Sequence, residues 1–229
     1  MRTRSRKSGR SLFHGGIEMV NPAPIFEQVY RDYLRRLTQL DFPTLANKIG
    51  VETKDDALII PFFGQPYKVS PSGIVDASGT EPLHSLKVVF CQYLLLYPAA
   101  EPQGQDWVSY KDFREAAPFV DGFQNNTEKA IAKNFSGKLG DLRRASLQLE
   151  GRDPGFDWNY QLLMRFDPLP HVPLILLFND ADEEFPAQGL LLFERRARKY
   201  LDMECLAILA WLLTDLLIQS GGKQKRTIM

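Results

Sequence analysis

The chain has 229 residues, 44% of them hydrophobic, with 28 Lys plus Arg against 28 Asp plus Glu and a formal net charge of zero. That length builds a self-sufficient core of one large or two small domains without disulfides or a structural metal, which excludes overall disorder. Zero net charge also argues against a protein built as a whole to coat nucleic acid or an anionic membrane, because that attraction needs clustered positive charge.

The zero is a sum of unlike parts. Residues 1–18 carry Arg2, Arg4, Arg6, Lys7 and Arg10 against Glu18 alone, and residues 221–229 carry Lys223, Lys225 and Arg226 with no acid. Between them, 20 bases face 27 acids, so the body is acidic, near minus 7. Only Leu12 and Phe13 interrupt the polar leader, too little for the apolar stretch of a secretory signal. Residues 1–18 read as a basic, disordered extension or one that precedes a start at Met19; a nucleic-acid arm and a targeting sequence are the other readings. A single domain is expected over residues 19–220, followed by a basic tail at 221–229.

From Pro22, Ile25, Val29, Tyr33 and Leu37 recur every four residues with Arg31, Asp32, Arg35 and Arg36 between them, which predicts an amphipathic helix. A short helix follows over Phe42 to Ile49. Turn residues then break apolar runs at Gly64 and at Pro71-Ser72-Gly73, predicting a small antiparallel meander from Ala57 to Val75. Leu83 to Tyr97 is apolar nearly all round and is stopped by Pro98, as in a buried central helix. After a Pro/Gly/Gln loop, Trp107 to Tyr110 forms a short strand or aromatic turn. Two helical segments, Pro118 to Asn134 and Ser136 to Leu149, precede a loop at Gly151 to Asp157.

Three strand-length runs close the pattern: Tyr160 to Phe166, Val172 to Phe178 and Leu190 to Phe193, bounded by prolines and by the acidic Asp180 to Glu184. A last helix runs from Asp202 to Gln219, with Asp202 as its N-cap, Glu204 in its first turn and Gly221-Gly222 as its stop. Strand groups at both ends with helices between them predict an α+β fold, a mostly antiparallel sheet packed against several helices, in a single domain. The final helix is apolar on more than one face, so it is either buried centrally or docks a protein partner or a second copy through Asp202 to Gln219. Its longest uncharged apolar stretch, Cys205 to Thr214, is half of the roughly 20 residues a membrane span requires. Cys91 and Cys205 lie in apolar helical segments with no thiol or histidine at metal-ligand spacing, which suits a reduced, cytoplasmic protein.

Four constellations carry potential chemistry. Asp180, Asp182, Glu183 and Glu184 crowd one strand connection, where a tight turn could gather oxygen ligands for Mg²⁺ or Ca²⁺; the plainer reading is a solvated connection. Phe185-Pro186 fixes the backbone after Glu184 and is expected to turn that side chain inward. Lys129, Lys133, Lys138, Arg143 and Arg144 surround the Gly-x-x-Gly segment Gly137 to Gly140, a phosphate-approaching turn or a solvated helical face. Arg195, Arg196, Arg198 and Lys199 either neutralise the acidic connection or line an anionic-ligand site. His14, His84 and His171 lie far apart with no serine or cysteine partner suggested by spacing, and His171 reads as a structural residue between prolines. Hydride-transfer and kinase signatures are absent.

Leu94-Leu95-Leu96-Tyr97, Trp107 to Phe113, Phe123, Pro170-His171-Val172-Pro173-Leu174, Asp182-Glu183-Glu184-Phe185-Pro186, Leu192-Phe193 and Tyr200-Leu201-Asp202-Met203-Glu204, in this order and spacing, resemble the prokaryotic family catalogued as domain of unknown function 3786. The Ala57 to Val75 meander is similar to that family's sheet, so the resemblance covers most of residues 25–218. His171 and Glu194 depart from the family pattern, which favours an arginine or aliphatic residue and an aspartate. The resemblance implies no activity. The iron–sulfur module that some members carry in N-terminal cysteines does not transfer to this chain, although a cluster-bearing partner stays open.

The expected function is that of a cytoplasmic accessory or ligand- and partner-binding protein without a catalytic motif. Its candidate ligand-binding residues are Asp182, Glu183, Glu184, Arg195 and Arg196, and no cofactor is identified. The alternative is a metal-dependent enzyme using the Asp180 to Glu184 carboxylates, with the metal unknown. Nucleic acid ranks last among partners, and no membrane is expected.

Overall fold

The computed structural model describes residues 24–103 and 106–222; the basic leader with His14 and Met19, and the tail bases Lys223, Lys225 and Arg226, lie outside the described residues. The first helix, α1 (Pro24–Leu37), packs on α3 (His84–Leu96), but only the second half of the expected repeat, Tyr33 and Leu37, faces the core; Ile25 and Val29 are exposed, and Tyr30 and Leu34 pack in their place. Between them, α2 (Phe42–Ile49) starts where Asp41 accepts hydrogen bonds from the Thr44 amide at 3.2 Å and hydroxyl at 2.7 Å, and it ends at Gly50, whose φ of 78° suits a residue with no Cβ.

The meander has four strands in the order β1-β2-β3-β4: β1 (Glu52–Lys54), β2 (Ala57–Phe62), β3 (Gln65–Ser70) and β4 (Gly73–Asp76). The two-residue turns Asp55-Asp56 and Phe63-Gly64 take positive φ at both positions, the geometry that matches strand twist. Phe63 accepts this unfavourable region because its ring is buried against Phe62 and Phe166. Burying such a ring is worth about 1.5–3 kcal/mol, against roughly 1–2 kcal/mol for the backbone strain.

The C-terminal strands form a second sheet, order β5-β8-β7-β6, from β5 (Trp107–Ser109), β6 (Leu162–Leu169), β7 (Val172–Asn179) and β8 (Gln188–Glu194). The strands at the two ends of the chain are therefore divided between two sheets rather than shared in one. The sheets meet where the Phe63 amide donates to the Pro168 carbonyl at 3.3 Å and where Phe62, Phe63, Phe90 and Phe166 pack edge to face.

β7 is buried at seven of its eight positions because both faces of the sheet are covered. Leu174, Leu176 and Phe178 enter the main core, while Ile175 and Leu177 join Leu192, Trp107 and Trp158 in a smaller cluster on the other face. The expected helix from Pro118 to Asn134 is instead a 3₁₀ turn (Arg114–Phe119) followed by α4 (Val120–Asn126) and α5 (Glu128–Phe135). The chain breaks at Thr127, whose hydroxyl folds back onto the Phe123 carbonyl at 2.7 Å.

α6 (Leu139–Gln148) and α7 (Met203–Gly221) complete the fold. Asp202 caps α7 through the Cys205 amide at 2.8 Å and accepts from Gln92 of α3 at 3.1 Å, tying the two apolar helices together. Among the described residues, α7 alone is long and apolar enough by length and composition to cross a membrane; half of its most apolar stretch is buried in the core. The main core runs from Tyr30 to Leu217 and joins both sheets and the seven α-helices of the described residues, which form a single α+β domain.

Candidate ligand-binding cleft

The acidic connection between β7 and β8 folds around two carboxylates. Asp180 Oδ1 accepts from its neighbour's amide, Ala181, at 2.8 Å and from the Gly137 amide, in the turn between α5 and α6, at 2.6 Å. Asp182 Oδ1 accepts from the Phe185 and Glu184 amides at 2.7 and 2.9 Å, and its own amide donates to the Phe185 carbonyl. Those backbone donors, Phe185 first and Glu184 second, hold the Asp182 carboxyl below the usual carboxylate range.

Glu183 and Glu184 are exposed. The expected inward turn of Glu184 does not occur: Asp182, itself exposed, takes the loop's amides, and both glutamates stay in solvent. Among the described residues no three His, Cys, Asp or Glu side chains converge as metal ligands.

Beside this loop, the open ends of β6 and β7 are stitched together by side chains. The Gln161 amide donates to Asn179 Oδ1 at 3.0 Å, and the Asp180 amide donates to Gln161 Oε1 at 2.8 Å. Each carboxamide thus spends its oxygen on backbone, which restricts the group and leaves its NH₂ as the donor that remains. Neither NH₂ has a hydrogen-bond partner among the described residues.

The two groups line a cleft of about 410 Å³ together with Asn159, Tyr160, Asp180, Asp182, Phe185, Pro186 and Gln188. No Lys, Arg or His lines it. Its aromatic residues are open to solvent, Phe185 at 60% and Tyr160 at 37% exposure. The four carboxamides and Tyr160 carry no feature that composition or motif spacing flags; they meet only because β6 and β7 pair.

Arg195 and Arg196 lie at the far end of β8 from the acidic loop, about 20 Å away along a seven-residue strand. They do not neutralise it. Arg195 pairs with Asp106 at 2.5 Å, Arg198 with Glu115 at 3.3 Å, and Arg196 is clamped between Glu194 and Glu101, the latter at 2.8 Å. Glu194 is only 4% and Arg196 12% exposed. Burial works against the Arg196 charge, and its hydrogen bonds to the two glutamates outweigh that and raise its pKa.

The clamp anchors an aromatic group. His171 takes φ 63° in the two-residue turn joining β6 to β7, stacks on Tyr200, and sets Nδ1 3.5 Å from Glu101. Tyr97 donates to the Lys48 carbonyl and Tyr93 to the Pro170 carbonyl. The two bonds join α2, α3 and the β6–β7 turn, and the His171 stack on Tyr200 adds a fourth segment, so His171 packs as a structural residue.

Other hollows are lined differently: the largest, of about 450 Å³, lies where the turn between α5 and α6 meets the end of α7, between Asn134, Phe135, Lys138, Asp141 and Ile218. Burial raises the Glu128 carboxyl pKa, and Glu128 lines a crevice of about 40 Å³, the size of a water site. A shallow apolar groove of about 260 Å³ runs between α4 and α7 past Phe119 and Trp211, the latter 41% exposed.

The family model described as Domain of unknown function (DUF3786) matches residues 41–216, a span that contains every cleft residue. No curated protein and no solved structure matches the chain.

Proposed function

We propose, from the premise that this chain belongs to the DUF3786 family, that it is a non-catalytic accessory protein that binds a small ligand in the cleft where β6 and β7 open. One observation supports the reading: Gln161 and Asn179, each held to backbone through its oxygen, line a cleft of small-molecule size, and their NH₂ donors have no partner among the described residues. Donors fixed before binding cost little entropy to use, so such a wall favours recognition.

The lining is poorly suited to acid–base or nucleophilic work. It contains no His, Cys, Ser or Lys, and Asp182 is a weakened base because its charge is already met by backbone amides. The reading as a metal-dependent enzyme through Asp182, Glu183 and Glu184 draws no support from a converged ligand set. Buried, unpaired Cys91 and Cys205 support a reducing, cytoplasmic setting. A partner surface on α7 centres on Trp211, the large apolar side chain that this helix exposes, since nine of its 19 residues are buried.

The test is to extract small molecules from the full chain purified from its native source and compare them by mass spectrometry with those held by an Asn159→Ala/Gln188→Ala variant. Both side chains line the cleft and make no hydrogen bond in the fold, so folding is preserved. A species enriched about tenfold in the unsubstituted protein is expected; identical contents would contradict the reading.

A further inference from the structure

We infer that the cleft takes a neutral, hydroxyl-rich ligand of the carbohydrate class. This rests on the ligand-binding reading and deepens it. The first constraint is charge: two carboxylates line the cleft, Glu183 and Glu184 stand on the same loop, and no basic side chain lines the cleft. Phosphates, nucleotides and carboxylic acids therefore meet repulsion with no compensating cation.

The second constraint is hydrogen-bond polarity. The NH₂ groups of Gln161 and Asn179 are donors, while the second oxygens of Asp180 and Asp182 are acceptors, since Oδ1 of each already serves the loop backbone. An organic cation satisfies the acceptors and leaves the donors unmatched on desolvation. A hydroxyl gives and receives at once, and neighbouring hydroxyls on a sugar ring satisfy a carboxylate and a carboxamide together.

The third constraint is the apolar surface. Phe185 and Tyr160 hold exposed rings at a site that is otherwise polar. An aromatic face carries partial negative charge and receives the C–H-bearing face of a pyranose, whose hydroxyls then point at the polar wall. A volume of about 410 Å³ lies within the range for small-molecule sites.

The experiment titrates the ¹⁵N-labelled full chain with cellotriose, maltotriose and chitotriose, and separately with spermidine and AMP, following the side-chain NH₂ resonances of Gln161 and Asn179. The inference predicts that at least one trisaccharide shifts these resonances, and that Phe185→Ala, an exposed position that leaves the core untouched, weakens binding about tenfold. If spermidine or AMP shifts them and no trisaccharide does, the carbohydrate class is wrong and the ligand-binding reading stands. If no probe shifts them, the carbohydrate class is overturned; if the extracted contents of the purified protein also match those of the Asn159→Ala/Gln188→Ala variant, the ligand-binding reading falls with it.

Discussion

The Gly137 amide donates to Asp180 Oδ1 at 2.6 Å, so the anion seated on the Gly-x-x-Gly turn is a carboxylate of the same chain. The two segments are 43 residues apart and had suggested separate chemistries, a phosphate-approaching turn and a metal-binding cluster. Their union uses the donor that a phosphate would need. Three of the five surrounding bases are likewise occupied: Arg144 pairs with Asp141, Lys129 donates to Asn125, and Lys138 donates to the Asn134 carbonyl.

Glycine substitutions separate this turn from the helix it precedes. Gly137 has φ 71° with open space where a Cβ would lie, so Gly137→Ala carries backbone strain alone and is expected to destabilise by about 1 kcal/mol. Gly140 sits within α6, also in open space, and Gly140→Ala is expected to stabilise by about 0.5–1 kcal/mol. Urea midpoints of the two variants should move in opposite directions.

Neighbouring arginines should differ sharply. Arg195 and its partner Asp106 are both more than half exposed, so Arg195→Ala changes stability by no more than about 1 kcal/mol. Arg196→Met leaves the buried Glu194 carboxylate without its partner and is expected to cost about 3 kcal/mol. Adding Glu194→Gln to Arg196→Met removes the stranded charge and should recover most of that loss, as read by the same unfolding midpoints.

His84 gives the packing of α1 on α3 a pH dependence. Burial first, and repulsion from Lys87 second, hold its pKa below the ordinary 6.5, while Glu27 pulls the other way. Its ring faces Phe26 and Tyr30 of α1, and Lys87, on α3 with His84, lies over Tyr30 and pairs with Glu81. The folded chain therefore binds fewer protons at this site than the unfolded chain. The contribution is complete above about pH 6.5 and is lost as pH falls from there towards the folded value. Melting temperature should drop between about pH 7.5 and about pH 5.5, and His84→Gln should reduce that drop.

Much of the fold is legible in the residues because local signals and burial agree. Phe42 to Ile49 has an N-cap aspartate before it and a glycine after it, and the helix occupies those limits. Asp202 was readable as a cap for the same reason, although α7 runs on to Gly221. β1 went unseen because all three of its residues are exposed and carry no alternation. The break at Thr127 went unseen because a threonine folding back onto its own helix resembles, in sequence, any other polar helical position.

The cleft was half legible. Asp182 stood out by charge, whereas Gln161 and Asn179 become neighbours only through strand register. Counting outward from the Pro170-His171 turn sets Gln161 opposite Asp180; a bulge between Phe166 and Leu169 shifts the pairing by one, to Asn179. A bulge of one residue has no signature in composition. Arg196 was legible as a charge and not as a clamp, because Glu101 and Glu194 reach it from different segments.

Hydrogen–deuterium exchange on the full chain, with and without the small-molecule extract of its native source, tests the central claim most directly. The account predicts protection at residues 159–163 and 179–188 that disappears in the Asn159→Ala/Gln188→Ala variant. Protection confined to the groove beside Trp211, or none anywhere, would contradict it.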